Sequence, residues 1–298
     1  MKNILAIRND RFGEFLLNIP ALRALKETYP QAKLTLAVSF SVKELAEAVE
    51  WVDEVCVWDD VKDNLRKYKF DLCVILNPTK EAHLASFWAR IPIRVGYNRK
   101  MGFLLTHKIK DEKYLGLKHE VDYNLELVSL IGATTKDRSL RLKIDKNPNF
   151  IASQFVAIHP LTSDPVKQWP LEKFKELALR LMQLGLKVAI VGNGKEKEYF
   201  DNLGENILNM INRTSLIELA GLLKSSKLLI SGDSGPMHLA ASVGTKVVAL
   251  FRSDLPGKTA RRWGPWGEGH IILESNNLSS ISVKQVIDKI ITVLHPNL

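Results

Sequence analysis

The chain is poor in the features that build disulfide-stapled, membrane-spanning or dinucleotide-binding proteins. Its only two cysteines, Cys56 and Cys73, both lie inside apolar strand-like runs (VDEVCVW and DLCVIL). Cysteines so placed read as reduced core residues rather than a disulfide or a metal site. No apolar run approaches the ~20 residues of a membrane span. The apolar run at the N-terminus is too short for a secretory signal and leads directly into a strand–loop–helix pattern. GNGKEKE, after the apolar run 187–191, lacks the third glycine of a dinucleotide fingerprint, which weakens the case for a dehydrogenase. There is no fixed-period short repeat and no low-complexity segment. These absences set the expectation of a cytoplasmic protein with an ordinary packed core.

What is present is a core-forming, basic chain. At 298 residues and 46% hydrophobic, it can fill two domains at about 100–200 residues each. The formal charge is +9, split as +5 over residues 1–150 and +4 over 151–298. The excess is densest from Lys80 to Lys118, with nine basic residues against three acidic. Such a patch fits anionic partners: phosphorylated substrates, acidic lipid headgroups or nucleic acid. It also fits an ordinary solvated surface.

Strands are expected at Lys2–Arg8, Lys33–Ser39, Val52–Trp58 and Asp71–Asn77, with helical stretches near 14–27, 41–50, 61–68 and 79–90. Pro20 is expected to kink or divide the 14–27 helix. Ile93–Tyr97 and Phe103–Lys110 read as β-like, and a helix near 118–131 ends at Gly132. The polar stretch 134–149 breaks the periodicity and reads as a linker. The alternation then restarts with a strand at Phe155–His159, a helix at 170–184 and a strand at 187–191. Further helices are expected near 195–203 and 215–225, and a closing helix at 281–294. Alternating strands and helices argue parallel sheets. The expected architecture is α/β, with an N-terminal Rossmann-like domain over 1–145 and a C-terminal one over 146–298, facing across a cleft. The closing helix is free to pack back on the N-terminal domain.

Three loops are suited to chemistry. The stretch 227–251, KLLISGDSGPMHLAASVGTKVVALF, reads as a βαβ unit with DSG at the first strand's C-terminal edge. Ligands of open α/β sheets sit at that edge, and the amides of Gly235 and its neighbours, with the helix dipole, favour an anion. Capping of the helix by Ser234 or Asp233 explains part of the same pattern. The loop after His159 holds Thr162, Ser163 and Lys167, hydroxyls and an ammonium that suit a phosphate. Glu196 or Glu198, past the 187–191 strand, suits a ribose hydroxyl pair, or simply a solvated helix start.

Taken together, IRNDRFGEFLLNIPALRAL, HPLTSDPVKQWP, SGDSGPMHLAASVG and RRWGPWG, in this order and spacing, resemble the ADP-heptose:lipopolysaccharide heptosyltransferases of glycosyltransferase family 9. The resemblance covers almost the whole chain. It implies two Rossmann-like domains of the GT-B type, a nucleotide-sugar donor in the C-terminal domain and an acceptor on the N-terminal one. It further implies inversion at the sugar carbon without a metal or other cofactor, and the sequence contains no Asp-x-Asp of the kind metal-dependent transferases use.

Residue by residue, the resemblance makes Glu14 the catalytic base, where the family usually has Asp, with Asp10 as the fallback. Lys167 becomes the phosphate-binding lysine, with Thr162 and Ser163 as nearby donors. Asp233, Ser234, Gly235 and His238 hold the donor, and Glu196 takes the ribose. Arg94, Arg99 and Lys100 are candidates for the anionic acceptor, while Arg261 and Arg262 suit an interdomain contact. The implied reaction moves heptose from ADP-heptose to Kdo-lipid A or heptosyl-Kdo-lipid A, with the enzyme in the cytoplasm and touching the inner-membrane surface. Three alternatives stand beside it: another nucleotide-sugar donor within the family, a nucleotide-sugar epimerase or hydrolase, and a binding protein without turnover. Nucleic-acid binding fits the charge but finds no motif.

Overall fold

The computed structural model of the protein describes residues 1–144 and 155–294. It divides into two compact units, Met1–Lys143 and Ile144–Leu298. Each is built on a six-stranded sheet whose paired strands are all parallel. The expected boundary at 145/146 lies outside the described residues.

The N-terminal unit contains β1 (Asn3–Arg8), β2 (Lys33–Val38), β3 (Glu54–Val57), β4 (Leu72–Ile75), β5 (Ile93–Tyr97) and β6 (His107–Ile109), in the order β3-β2-β1-β4-β5-β6. The central strand β1 is buried from Ile4 to Ile7, as an apolar strand covered on both faces must be. Helices α1 (Phe12–Leu16), α2 (Ile19–Thr28), α3 (Lys43–Ala46), α4 (Trp58–Val61), α5 (Lys80–Trp88) and α6 (Glu120–Ser129) connect and cover the strands. The helix expected at 14–27 is divided at Leu17–Asn18, before Pro20, which occupies the tolerated first turn of α2. At the break the Asn18 amide donates to the Glu14 carbonyl (2.6 Å).

Three expectations change here. The helical stretch expected near 61–68 is a 3₁₀ run, Lys62–Tyr68, that follows α4. Of the β-like stretch 103–110, only His107–Ile109 is strand, and Gly102–Leu104 is a 3₁₀ turn. A strand parallel to β5 must start from the opposite edge, so the residues between them serve as the crossover. The described part of the supposed linker, 134–144, is also not free: Leu140 and Leu142 are buried, and Asp137 pairs with buried Arg23 (2.9 Å).

The C-terminal unit contains β7 (Phe155–His159), β8 (Lys187–Ile190), β9 (Ile207–Asn209), β10 (Leu228–Gly232), β11 (Lys246–Arg252) and β12 (Ile271–Ser275), in the order β12-β11-β10-β7-β8-β9. Counted within each unit, the two sheets have the same strand order. The helices are α7 (Leu171–Gln183), α8 (Leu216–Ser225), α9 (Gly235–Ser242), α10 (Ala260–Trp263) and α11 (Val283–Leu294). The helix expected near 195–203 is a 3₁₀ turn, Lys195–Phe200. Strand β12 has no counterpart among the expected elements. It is an edge strand whose residues are only half-buried or exposed, so its hydrophobic signal is weak. The closing helix α11 packs on the core of the C-terminal unit. Val283, Val286 and Ile290 enter the core formed by β7, β8, β10, β11 and α7.

Candidate active site

In the C-terminal sheet the chain runs outward from β7 to β8 and β9, then returns to β10 on the other side of β7. The strand order reverses between β7 and β10, and ligands of such sheets bind outside the strand ends at that point. The loops that meet there are the one after His159 and the one holding Asp233 and Ser234.

Lys167 closes a 3₁₀ turn, Pro165–Lys167, and its ammonium pairs with the Asp233 carboxylate. Lys167 is 17% exposed and Asp233 9%, so both charges are largely withdrawn from water yet reach the mouth of the site. Ser234 stands immediately before α9 in extended conformation (φ −156°, ψ 162°) but makes no side-chain cap bond. Its hydroxyl instead meets Ser231 Oγ (2.8 Å) and His159 Nδ1 (3.1 Å). Capping by Ser234, the plainer reading of this stretch, is therefore not what the residue does. The Ser234 side chain does not cap the first turn of α9, and a helix N-terminus with its dipole favours an anion.

His159 is buried at the end of β7, with Nδ1 also 3.2 Å from Ser231 Oγ. Burial pushes its pKa down to about 4, so the ring is neutral near pH 7 and ties the β7 and β10 loops together without adding charge. Its other edge faces Gly192, which follows β8 at φ 145°. A Cβ on Gly192 would stand 3.1 Å from both His159 Cδ2 and Leu161 Cδ1, so only glycine fits there without strain.

Thr162 is half-buried and accepts from the Asp164 amide (3.3 Å), while Ser163 is exposed. Asp164 caps the Lys167 turn through the Val166 amide (3.2 Å) and faces Lys258 (3.4 Å). Glu196 is half-buried and its carboxylate lies against Gly194, while Glu198 is exposed. Asn212 brackets Gly194, accepting from its amide (2.9 Å) and donating to its carbonyl (2.8 Å). His238 is buried one turn into α9. Arg262 stacks on Trp263 (4.6 Å) in α10, beside Arg261. His159, Ser231, Asp164 and Asn212 were not singled out from the sequence. The signal available for His159 was its place at a strand end in IHPLTS.

In the N-terminal sheet the reversal falls between β1 and β4. Arg8, buried at the end of β1, donates to the Leu76 carbonyl (3.0 Å), and Asn77 donates to Asn9 (3.2 Å). Asp10 pairs with Arg8 Nε (2.7 Å). Glu14 lies in the first turn of α1, mostly buried, and its carboxylate pairs with exposed Arg11. Both candidate bases thus follow the central strand, each with an arginine partner.

The three acceptor candidates are not brought together. Arg99 and Lys100 lie in the exposed turn past the C-terminal end of β5. Burial and then the Lys100 charge hold the pKa of His83, in α5, below its usual value, with a bond to the Thr79 carbonyl working the other way. Arg94 is near the other end of β5, about 10 Å of strand before Tyr97. Its guanidinium donates to the Leu104 (2.9 Å) and Ile91 carbonyls and stacks on Phe87 (5.5 Å). This is the bonding of a structural arginine.

A sequence profile described as Glycosyltransferase family 9 (heptosyltransferase) matches residues 58–289, a range that begins after the loop holding Asp10 and Glu14. The chain is 24% identical to lipopolysaccharide heptosyltransferase 3 of Escherichia coli over 315 residues, covering 93% of this chain and 89% of that protein. It superposes on a family 9 glycosyltransferase from Veillonella parvula with TM-score 0.87 at 21% identity, over 99% of this chain and 98% of the other. It superposes on E. coli ADP-heptose lps heptosyltransferase II with TM-score 0.86 at 20% identity, over 99% of both. The structural matches carry the fold, and the profile carries the family: this chain belongs to glycosyltransferase family 9, the heptosyltransferases.

Proposed function

We propose that this glycosyltransferase moves heptose from ADP-heptose to the inner core of lipopolysaccharide, onto Kdo-lipid A or heptosyl-Kdo-lipid A, in the cytoplasm. The observation that carries the reading is the Lys167–Asp233 pair beside the N-terminus of α9. A diphosphate there meets amides and the helix dipole on one side and an ammonium on the other. As the glycosidic bond breaks, negative charge grows on the departing diphosphate, and fixed donors already aimed at it lower the barrier. Asp233 keeps Lys167 aimed, and His159 and Ser231 hold Ser234. Glu196, beside Gly194, supplies a carboxylate for the ribose hydroxyls.

On the acceptor side Glu14 takes the proton from the attacking hydroxyl. Attack from the face opposite the diphosphate inverts the sugar carbon in one displacement, with no metal in the step. Arg11, exposed and paired with Glu14, gives way or follows as the hydroxyl arrives. Arg99 and Lys100 meet anionic groups of the acceptor.

The test is ADP release from ADP-heptose, with and without Kdo-lipid A, for wild type and Glu14→Gln, each with and without EDTA. Acceptor-dependent release that collapses in the variant is expected. Release that survives the variant moves the base to Asp10, and release abolished by EDTA removes the metal-free step. No release by folded wild-type protein in the absence of EDTA would overturn this donor–acceptor pair.

A further inference from the structure

The loop after β6, residues 110–119, turns a lysine inward and its apolar side chains outward. Tyr114, Leu115 and Leu117 are 66%, 45% and 53% exposed. Lys113 beside them is buried, with Nζ 2.5 Å from Glu120 Oε1, 3.3 Å from Asn124 Oδ1 and 4.3 Å from the centre of the Tyr97 ring. Lysine is among the residues least often buried, and leucine among those most often. Here the usual assignment is reversed within three positions.

The backbone of this loop is tied down. Lys113–Leu115 form a 3₁₀ turn closed by Gly116 at φ 62°. The amides of Leu117 and Lys118 both donate to the Tyr123 hydroxyl (3.2 and 3.3 Å). The Lys113 amide donates to Asp111, whose other carboxylate oxygen takes Arg99 (3.3 Å each). A slack loop would fold its leucines against the protein. This one holds them in water, and a fixed, exposed apolar tip marks a contact surface.

Charge indicates the partner. Residues 99–118 carry six Lys or Arg against two Asp or Glu. Lys108, Lys110 and Lys118 are exposed. Lys110 and Lys118 pair with Glu112 and Glu126 at the surface, where such pairs are weak and exchangeable. Leucine and tyrosine tips ringed by lysine match the boundary between lipid headgroups and acyl chains, where tips enter the interface and ammonium groups meet phosphate. An apolar groove on a protein would accept the tips but gives no reason for the cations.

We propose that the 110–119 loop docks this chain on an anionic membrane surface, with Tyr114, Leu115 and Leu117 entering the interface and Lys108, Lys110 and Lys118 meeting lipid phosphates. Among the described residues no helix is long and apolar enough to cross a membrane, so the attachment is peripheral and reversible. The inference goes beyond the proposed reaction and does not depend on it.

The test is co-sedimentation of the full chain with phosphatidylcholine vesicles, with and without phosphatidylglycerol. Wild type is expected to bind the anionic vesicles about tenfold more tightly and to release as salt rises. Leu115→Ser/Leu117→Ser should weaken anionic binding about tenfold with the melting temperature unchanged. Lys108→Gln/Lys110→Gln/Lys118→Gln should abolish the difference between vesicle types. Wild type that stays in the supernatant, or a double-serine variant that binds as well as wild type, would overturn the proposal. So would a concentration-dependent dimer in sedimentation velocity that the serine changes abolish, which would reassign the loop to a second copy of the chain.

Discussion

Strands β1 and β7 hold the same place in their sheets and end in the same way. Each finishes on a buried polar residue that bonds across the reversal point: Arg8 to the Leu76 carbonyl past β4, and His159 to Ser231 on β10 and Ser234 past it. Beyond that they diverge. The β1 loop leads to two carboxylates, Asp10 and Glu14, and the β7 loop to an ammonium, Lys167, that meets the amide end of α9. Topology fixes where a ligand group can stand, and a few side chains fix the sign of charge it meets. In the proposed reaction one edge takes a proton and the other holds a diphosphate.

The largest effect expected from breaking this contrast is at Glu14. Glu14→Gln keeps the shape and removes the base, so acceptor-dependent ADP release should fall by about 10²–10⁴, while ADP affinity by calorimetry stays put. The next is structural. Lys113→Met takes the ammonium away from the buried Glu120 carboxylate, which should cost about 3–5 kcal/mol in urea unfolding. The double change Lys113→Met/Glu120→Leu should recover most of it, because the lost partner, not the lost lysine, is what destabilises.

On the anion edge, Lys167→Ala leaves the Asp233 carboxylate facing the incoming diphosphate. Turnover should fall by about 10²-fold or more, and Lys167→Ala/Asp233→Asn should regain part of it. An equal loss in both variants would separate Asp233 from the role of holding Lys167.

His159 gives a pH signature. Its pKa is about 4 in the fold against an ordinary 6.5. Between those values the unfolded chain takes up a proton that the folded chain refuses. The stability is intact above pH 6.5 and drains away as pH falls toward 4, by about 2 kcal/mol between pH 7 and 5. His159→Phe should remove that share of the acid sensitivity, seen as a smaller shift in urea midpoint between the two pH values. The smallest effect belongs to Arg94. Arg94→Lys should lower stability by about 1 kcal/mol and leave the acceptor KM unchanged, in contrast to Lys100→Ala. A change in KM at Arg94 would restore it to the acceptor face.

Much of this was legible in the chain itself. Apolar runs such as NILAIR and KVVALF can only be buried parallel strands when helices alternate with them. The punctuation of GDSGPMH marks a strand end and a helix start. What could not be read was which hydroxyl goes where. Ser234 looks like a cap in sequence, and only the approach of His159 from 75 positions away shows that its hydroxyl is already engaged. Arg94 reads differently in the structure for the converse reason. Its neighbours in sequence are basic and exposed, but a strand carries it to the opposite edge. The Lys113–Glu120 pair sits in a run that reads as plain surface charge, because burial of a lysine depends on Tyr97 and Asn124, which local pattern does not reveal. Edge strand β12 was lost because it buries too little to leave a periodic signal.

The central position of β1 and β7 also has a consequence for how the chain is made. In each unit the strand that emerges first from the ribosome is the one both halves of the sheet must pair with, as β2 and β4 flank β1, and β8 and β10 flank β7. This strand order allows each sheet to be assembled from the middle outward in the order of synthesis. The seed is available before any edge strand exists, so a growing chain never has to open a finished sheet to insert its centre.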